Sequence, residues 1–413
     1  MPPTPPTPPT PPMPDGPELP PVEIVGIELI EVDLRLVEPV ETAQARWDAR
    51  PVLLVSVTTK GGRQGWGECV ALPEPLYSEE TSAGAAALLA GRLLPTVADA
   101  AAQGPVGPGE VAAAAESVAR NSMAKAAVAD AVLDACLAEA GVPLWRYLGA
   151  TGKPVPAGVA FGIPADRSPE RLRAAVDAAV AEGYRRAKVK IAPGWDRLPL
   201  EAVRAVHAGL VLVADANGSY AGLAPTDQEE ALGALDDLGL AAVEQPLGPG
   251  DLDGHARLRA RLGSPVALDE SLDSLGSLAL ATDKDACDVA VIKAGRLGGL
   301  AEARRAAGLC AAAGIGAYVG GMYESAVGRA QNLALGGHPA FTLAGDLAAG
   351  DRYFVKGAGG DIGPLDAATG TFAVPAGPGR GLDVPCELRA GSGDKARTIW
   401  SWANEAGRPG RGT

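Results

Sequence analysis

The chain predicts an α/β barrel of seven or eight strand–helix units, preceded by a smaller α+β unit. Three observations carry this. From about residue 155, segments with helical spacing alternate strictly with short apolar runs, the pattern of a parallel sheet covered by helices. Seven or eight such units in about 190 residues fit a closed barrel better than an open sheet. Finally, a charged residue closes one apolar run after another: Lys190 after "AKV", Asp215 in "LVLVADANGSY", Glu244 in "AAVEQP", Asp269 in "PVALDES" and Lys293 in "DVAVIKAG". The carboxyl ends of the strands are where such barrels carry their active sites.

Taken in order, residues 1–21 form a proline-rich "PPT" repeat with almost nothing apolar to bury. The expectation is an extended, disordered, solvated tail; a ligand for a proline-reading domain is the rarer use of such a segment. Residues 22–150 read as the α+β unit. "VEIVGIELIEVDLRL" alternates like a strand, and "PVLLVSVTTKGGRQGWGECV" reads as two strands joined at Lys60-Gly61-Gly62. Val37 to Arg50 reads as a polar loop. Residues 78–140 are alanine-rich with helical spacing, stopped at Gly141 and Pro143.

The barrel is expected over 151–349. Ser168 and Pro169 cap a helix running to Gly183, followed by strand 187–191. Helices at 199–208, 226–238, 252–262, 274–282 and 299–313 then alternate with strands at 210–214, 241–244, 265–268, 288–293 and 316–320. Residues 350–390 return to glycine, proline and short strands, expected to close back on the N-terminal unit. Residues 391–413 read as a tail with a helical trace at "KARTIWSWANEAG".

Composition narrows the function classes. Of 413 residues, 47% are hydrophobic and 21% charged, as in a globular protein with a substantial core. The net charge of -14 argues against a nucleic-acid surface. No run is read as a membrane span or a signal peptide. Five scattered cysteines without a CxxC pair fit a reducing cytosol rather than a disulfide framework or a zinc site. His207, His255 and His338 all read as surface or loop residues, which leaves no histidine for acid–base chemistry or metal binding.

The chemistry therefore falls to carboxylates and lysines. On a strand, residues two apart share a face, so Lys188 and Lys190 lie side by side. An edge strand kept soluble by lysines is the bland explanation; the regular series of charged strand ends outweighs it. Asp215, Glu244 and Asp269 on successive strands would repel one another unless a cation joins them. All-oxygen ligation suits magnesium, with manganese as its substitute. Each carboxylate also precedes a helix and so suits an N-cap, but three in register between flanking lysines favour metal. An EF-hand reading of "DANG" fails because Thr226 stands where a glutamate is needed. A phosphate loop fails because Lys153 is followed by proline and Tyr147 replaces the first glycine. Lys190 and Lys293 would face each other across the barrel, and a lysine among cations with a lowered pKa is a base near neutral pH. The reaction class is proton abstraction next to a carboxylate. An imine-forming lysine is the competing use, and a non-catalytic scaffold is the alternative from another class.

These motifs, with "IKAGRLGG", "GWGECVALPEPLYSEE", "GGMYESAVGRAQNLAL" and "FTLAGDLAAGDRYF", resemble the enolase superfamily. Within it they look like the muconate-lactonizing subgroup, in the branch of o-succinylbenzoate synthases and N-succinylamino acid racemases. The resemblance covers roughly residues 23 to 385. It implies a TIM-like barrel with an α+β capping domain formed by the N-terminal region and the C-terminal segment. By the resemblance, Lys190 is the acid–base lysine, Lys188 tunes it, and Lys293 serves the opposite face. Asp215, Glu244 and Asp269 hold magnesium, with Asn217 and Arg296 in support. Tyr77, Gly321, Met322, Tyr323, Glu324 and Ser325 are the substrate-pocket candidates, under a lid from Val37–Arg50 and Cys69–Tyr77. The implied activity is metal-dependent dehydration of a cyclohexadiene carboxylate to o-succinylbenzoate in menaquinone synthesis. Racemisation of N-succinylamino acids is the alternative, with cycloisomerase and dipeptide epimerase activities further off. The expected partner is a small carboxylate substrate, with no nucleic acid or membrane, and a homo-oligomer is compatible with the reading. Ala294 and Tyr323 depart from the family pattern, where proline and an aliphatic residue are usual.

Overall fold

The computed structural model describes residues 19–41, 46–75, 78–355, 359–389 and 396–404. The repeat at 1–18, the tail beyond 404 and the pocket candidate Tyr77 lie outside them. The capping domain begins with β1 (Ile24–Glu41), β2 (Arg46–Thr59) and β3 (Gln64–Cys69). Gly62, at φ +80°, makes the left-handed step of the β2–β3 turn that the sequence marks. Helices α1 (Ser82–Leu88), α2 (Leu94–Gln103), α3 (Pro108–Glu116) and α4 (Ser122–Ala140) follow, then the short α5 (Leu144–Tyr147). The alternating glycines of "GRQGWGE" have a packing reason. A Cβ at Gly65 or Gly67 would run into the α4 backbone at Ala131 and Ala127. The alanines of α4 present an equally low surface, so sheet and helix approach closely.

The barrel region opens with β4 (Val155–Pro156) and β5 (Val159–Phe161). Then come α6 (Pro169–Glu182), β6 (Arg186–Lys190), α7 (Arg197–Arg204), β7 (Val211–Asp215), α8 (Pro225–Gly233) and β8 (Ala242–Glu244). The alternation continues through α9 (Leu252–Arg261), β9 (Val266–Leu268), α10 (Leu275–Asp283), β10 (Val289–Ile292), α11 (Ala294–Leu297), α12 (Leu300–Ala313), β11 (Gly316–Val319) and α13 (Ala326–Gly336). The Ser168 side chain caps α6 by accepting from Arg171 N, and Gly183 ends that helix in the left-handed region. Strands β5 to β11 form one seven-stranded sheet in sequence order, every neighbouring pair parallel. β6 has a partner on each side, so its lysines do not guard an edge. After α13, β12 (Thr371–Phe372) pairs with β4, and β13 (Ala396–Ala403) pairs with β1.

Closure between β11 and β5 uses an irregular eighth segment. Leu343 N bonds Ala317 O at 3.2 Å, Asp346 N bonds Val319 O at 2.8 Å, and Gly158 N bonds Leu347 O at 3.2 Å. The segment takes backbone bonds from both edges without becoming a regular strand.

Strand alternation then sorts the side chains. Val189, Leu212, Ala214, Val243, Leu268 and Ile292 point outward into the layer beneath the helices. Val213, Ala242, Ala267, Val289, Val291 and Tyr318 form an inner layer. In β7, β8, β9 and β10 the residue two places beyond an inner-layer residue is Asp215, Glu244, Asp269 or Lys293. The charged strand ends thus sit directly above a packed apolar floor.

Several expectations are corrected. Val37–Arg50 is not a loop over its described length: β1 and β2 continue into it as paired antiparallel strands, with irregular register between Arg35 and Val40. Ladder pairing holds it extended where apolar periodicity is weak. Ser82–Gln103 is a helical stretch of 22 residues, apolar and long enough by composition to span a membrane, although the sequence reading found no such run. Its Leu89, Leu93, Leu94 and Val97 are buried in the capping core. The helical trace in the C-terminal tail is strand β13, because the exposed side of β1 offers its backbone groups a partner and Trp400 and Trp402 pack on the capping core. Residues 350–390 do return to the capping domain: Val37 N bonds Tyr353 O and Val355 N bonds Arg35 O, Gly379 bonds Val142 and Leu144, and Arg380 pairs with Asp134; β12 in addition closes on β4. His255 and His338 are buried, not superficial; His255 Nδ1 lies 2.7 Å from Asp251 O and Nε2 accepts from Leu247 N at 3.2 Å.

Candidate active site

A cavity of about 80 Å³ opens at the carboxyl ends of the barrel strands. Lys188, Lys190, Asp215, Asn217, Asp269 and Lys293 line one side. Leu72 from the capping domain, Met322, Tyr323, Leu347 and Tyr353 line another. Glu244 and Arg296 lie behind this surface, fully buried or nearly so.

Backbone register sets the order. Lys190 pairs with Asp215 across β6 and β7, and Asp215 with Glu244 across β7 and β8. Asp269 follows the end of β9. Lys190 ends β6 and Lys293 directly follows β10, with β7, β8 and β9 between them in the sheet, and both side chains line the cavity. Asn217 adopts φ +42°, which turns its side chain back over the strand end. Its Oδ1 accepts from Lys190 Nζ, and its Nδ2 donates to Glu270 Oε1 at 2.9 Å.

Each carboxylate turns to a nearby cation. Lys188 Nζ lies 2.8 Å from Glu244 Oε1 and 3.4 Å from Asp215 Oδ2. Lys293 Nζ lies 2.8 Å from Asp269 Oδ2, and Arg296 Nη2 2.7 Å from Asp269 Oδ1. Arg296 also donates to the Leu272 and Asp269 carbonyls, so it fixes the loop after β9 rather than facing substrate. Among the described residues, no three His, Cys, Asp or Glu side chains gather around one point. The convergence expected from sequence is therefore present in strand register but not in side-chain clustering, because ammonium and guanidinium groups already satisfy the oxygens.

The electrostatics follow. Burial, reinforced by Asp215, pushes the Glu244 carboxyl up to about 8. Burial would raise Asp269 too, but Arg296 and Lys293 more than offset it and hold it below the usual carboxylate range. Burial lowers Lys293, yet Asp269 outweighs this and leaves it above an ordinary lysine. Lys188 rises for the same reason, with Asp346, Glu244 and Asp215 around it. The expectation of a lysine lowered by neighbouring cations is thus reversed at Lys293, where the Asp269 carboxylate outweighs burial and the Arg296 and Lys188 cations.

The all-carboxylate donor set fits a hard divalent cation. The observation that favours one is the placement of Glu244, fully buried and in register with Asp215 on the neighbouring strand, where added positive charge would offset both its burial and the adjacent carboxylate. Glu270 Oε2 is also buried without a hydrogen-bond partner.

Of the pocket candidates, Gly321, Met322, Tyr323 and Glu324 line the cavity. Ser325 does not; its hydroxyl accepts from Val327 N and caps α13. Sequence reasoning missed Asp346, which pairs with Lys188 at 2.7 Å and Arg186 at 2.6 Å. It stands on the irregular eighth segment, where no apolar run marked a strand. Arg186 was more accessible: it precedes Lys188 by two and shares its face.

Comparison with known proteins agrees with this architecture. Residues 24–149 match the mandelate racemase / muconate lactonizing enzyme N-terminal domain, and residues 171–388 match the enolase C-terminal domain-like family. The chain is 39% identical to an o-succinylbenzoate synthase of Geobacillus stearothermophilus, over 88% of this chain and 94% of that one. It is 40% identical to an N-succinylamino acid racemase of an Amycolatopsis species, over 89% and 96%. A solved enolase-superfamily structure from Listeria innocua superposes with a TM-score of 0.79 at 31% identity, over 88% of this chain and 95% of that one. Barrel, capping domain and relatives agree: the chain belongs to the enolase superfamily, in the branch of o-succinylbenzoate synthases and N-succinylamino acid racemases.

Proposed function

We propose that the protein is a divalent-metal-dependent o-succinylbenzoate synthase, dehydrating a succinyl-bearing hydroxycyclohexadiene carboxylate on the way to menaquinone. The observation that supports this is two lysines of different strands, Lys190 and Lys293, entering one cavity beside a carboxylate row. Asp215, Glu244 and Asp269 would hold magnesium, with manganese as substitute. Such a cation supplies positive charge to the substrate carboxylate as the adjacent carbon loses its proton. Lys190 Nζ takes that proton and returns it to the departing hydroxyl, which leaves as water. Asn217 holds Lys190 through its amide oxygen. Lys293, kept protonated beside Asp269, adds charge to the developing anion from the other side. Leu72, Met322 and Leu347 exclude water from the apolar part of the substrate.

The second lysine also favours a second reading. A base on each face is what racemisation of an N-succinylamino acid requires, so both reactions are accessible to one site. The deciding experiment assays purified protein with magnesium on the cyclohexadiene carboxylate and on N-succinyl-L- and D-amino acids. Turnover of the first supports the synthase, and turnover of the others alone makes the protein a racemase. No turnover of either, with magnesium or manganese supplied, defeats the proposal.

A further inference from the structure

The mechanism above gives no task to Tyr318. It belongs to the inner floor, where its neighbours are valines and alanines, and it is fully buried. A phenylalanine would fill the same volume, so the hydroxyl needs a separate explanation. That hydroxyl donates to Glu244 Oε2. The contact belongs to a closed circuit of five side chains. Lys188 donates to Glu244 Oε1 at 2.8 Å and lies 2.7 Å from Asp346 Oδ2. Arg186 Nη1 lies 2.6 Å from Asp346 Oδ1, and Arg186 Cζ sits 4.6 Å from the centre of the Tyr318 ring. The circuit joins four elements: β6, β8, β11 and the eighth segment.

We propose that Tyr318 is a positioning residue that holds the Glu244 carboxylate oriented for a divalent cation, with Asp346 as the counterweight that keeps Lys188 from claiming Glu244 outright. The inference rests on the reading of Glu244 as a metal ligand. A free glutamate loses considerable rotamer freedom when it takes up a ligating geometry. Here that ordering is done beforehand, one oxygen held by Tyr318 and the other by Lys188. Supporting partners of this kind are commonly worth 10- to 100-fold in metal affinity. Asp346 acts from the opposite end: by sharing the Lys188 ammonium, it weakens the competitor for the Glu244 oxygen that a cation needs.

The test is Mn²⁺ titration of the full-length protein by calorimetry, with Tm measured with and without Mn²⁺. Tyr318→Phe keeps the ring and removes the hydroxyl. Its Kd for Mn²⁺ is expected to rise about tenfold or more, and the Mn²⁺-induced gain in Tm to shrink accordingly. A purely structural hydroxyl would lower Tm equally in both conditions and leave Kd within twofold of wild type; that result overturns the proposal. Should Tyr318→Phe fail to fold, Asp346→Asn decides, with the same loss of Mn²⁺ affinity expected and an unchanged Kd overturning it. Wild-type protein that binds no Mn²⁺ defeats the metal-ligand reading itself, before any variant is compared, and this inference falls with it.

Discussion

The carboxylate of Glu68, carried by the capping sheet, clamps Ser325 at the start of a barrel helix. Glu68 accepts from the Ser325 backbone N–H at 2.9 Å, from its hydroxyl at 2.6 Å and from Gly328 N at 2.9 Å. The capping domain thereby satisfies the free N–H groups of α13, immediately after the residues that form one wall of the cavity. Glu68→Ala leaves three buried groups without a partner, at a cost of about 2–4 kcal/mol in total. Urea denaturation should show that loss, and KM should rise because residues 321–324 lose their anchor. An unchanged midpoint and KM would mean the clamp is redundant.

Asp130 links the same domains by another route and carries a pH signature. Its Oδ1 accepts from Leu300 N at 2.9 Å, at the start of α12. Burial pushes this carboxyl up from 3.8 to about 7. Between those values the folded chain retains a proton that the unfolded chain has released. Its contribution to stability therefore falls as pH rises through this window and is level above it. Asp130→Asn keeps an acceptor and removes the titration. The variant should gain stability relative to wild type between pH 5 and pH 8, by on the order of a few kcal/mol. A difference in Tm between the two proteins that does not move with pH would refute this.

Strand β13 should matter to the fold although it follows a glycine-rich stretch. A chain ending at Arg389 loses the ladder partner of β1 and the packing of Ile399, Trp400 and Trp402 on the capping core. The expected cost is about 2–4 kcal/mol from the apolar surface exposed, read as a fall in Tm. A truncated protein as stable as the full chain would show that the strand is dispensable.

Chelation should abolish turnover, and magnesium or manganese should restore it, if Asp215, Glu244 and Asp269 act as a hard-cation site. Full activity in excess chelator contradicts that role for all three.

The two lysines are separable by isotope exchange. Lys190→Ala should abolish dehydration. Arginine stays protonated and so offers no base. Lys293→Arg should lose α-proton exchange in deuterated solvent from one enantiomer of an N-succinylamino acid, and Lys190→Arg from the other, each by about 100-fold or more. Lys293→Arg should still dehydrate measurably. Equal loss from both enantiomers in either variant, with metal binding intact, would contradict the two-faced assignment.

The sequence by itself determined the barrel and the level of its site. Short apolar runs, each ended by Lys190, Asp215, Glu244, Asp269 or Lys293, are a local pattern that the backbone geometry of a strand converts into inward-facing charged groups above an apolar floor. Local signals also marked the β2–β3 turn and both ends of α6. What only the tertiary structure decided has no such pattern. β13 is a strand because β1 offers its backbone a partner; the helical trace in its sequence was overruled by long-range pairing. Asp346 enters the site on a segment held by the edges of β11 and β5 rather than by its own apolar periodicity. Whether a lysine rises or falls in pKa depends on which charges lie nearest through space: Lys188 rises because Asp346 at 2.7 Å and Glu244 at 2.8 Å stand beside it, and Lys293 because Asp269 stands 2.8 Å away, distances that packing sets and that spacing along the chain does not.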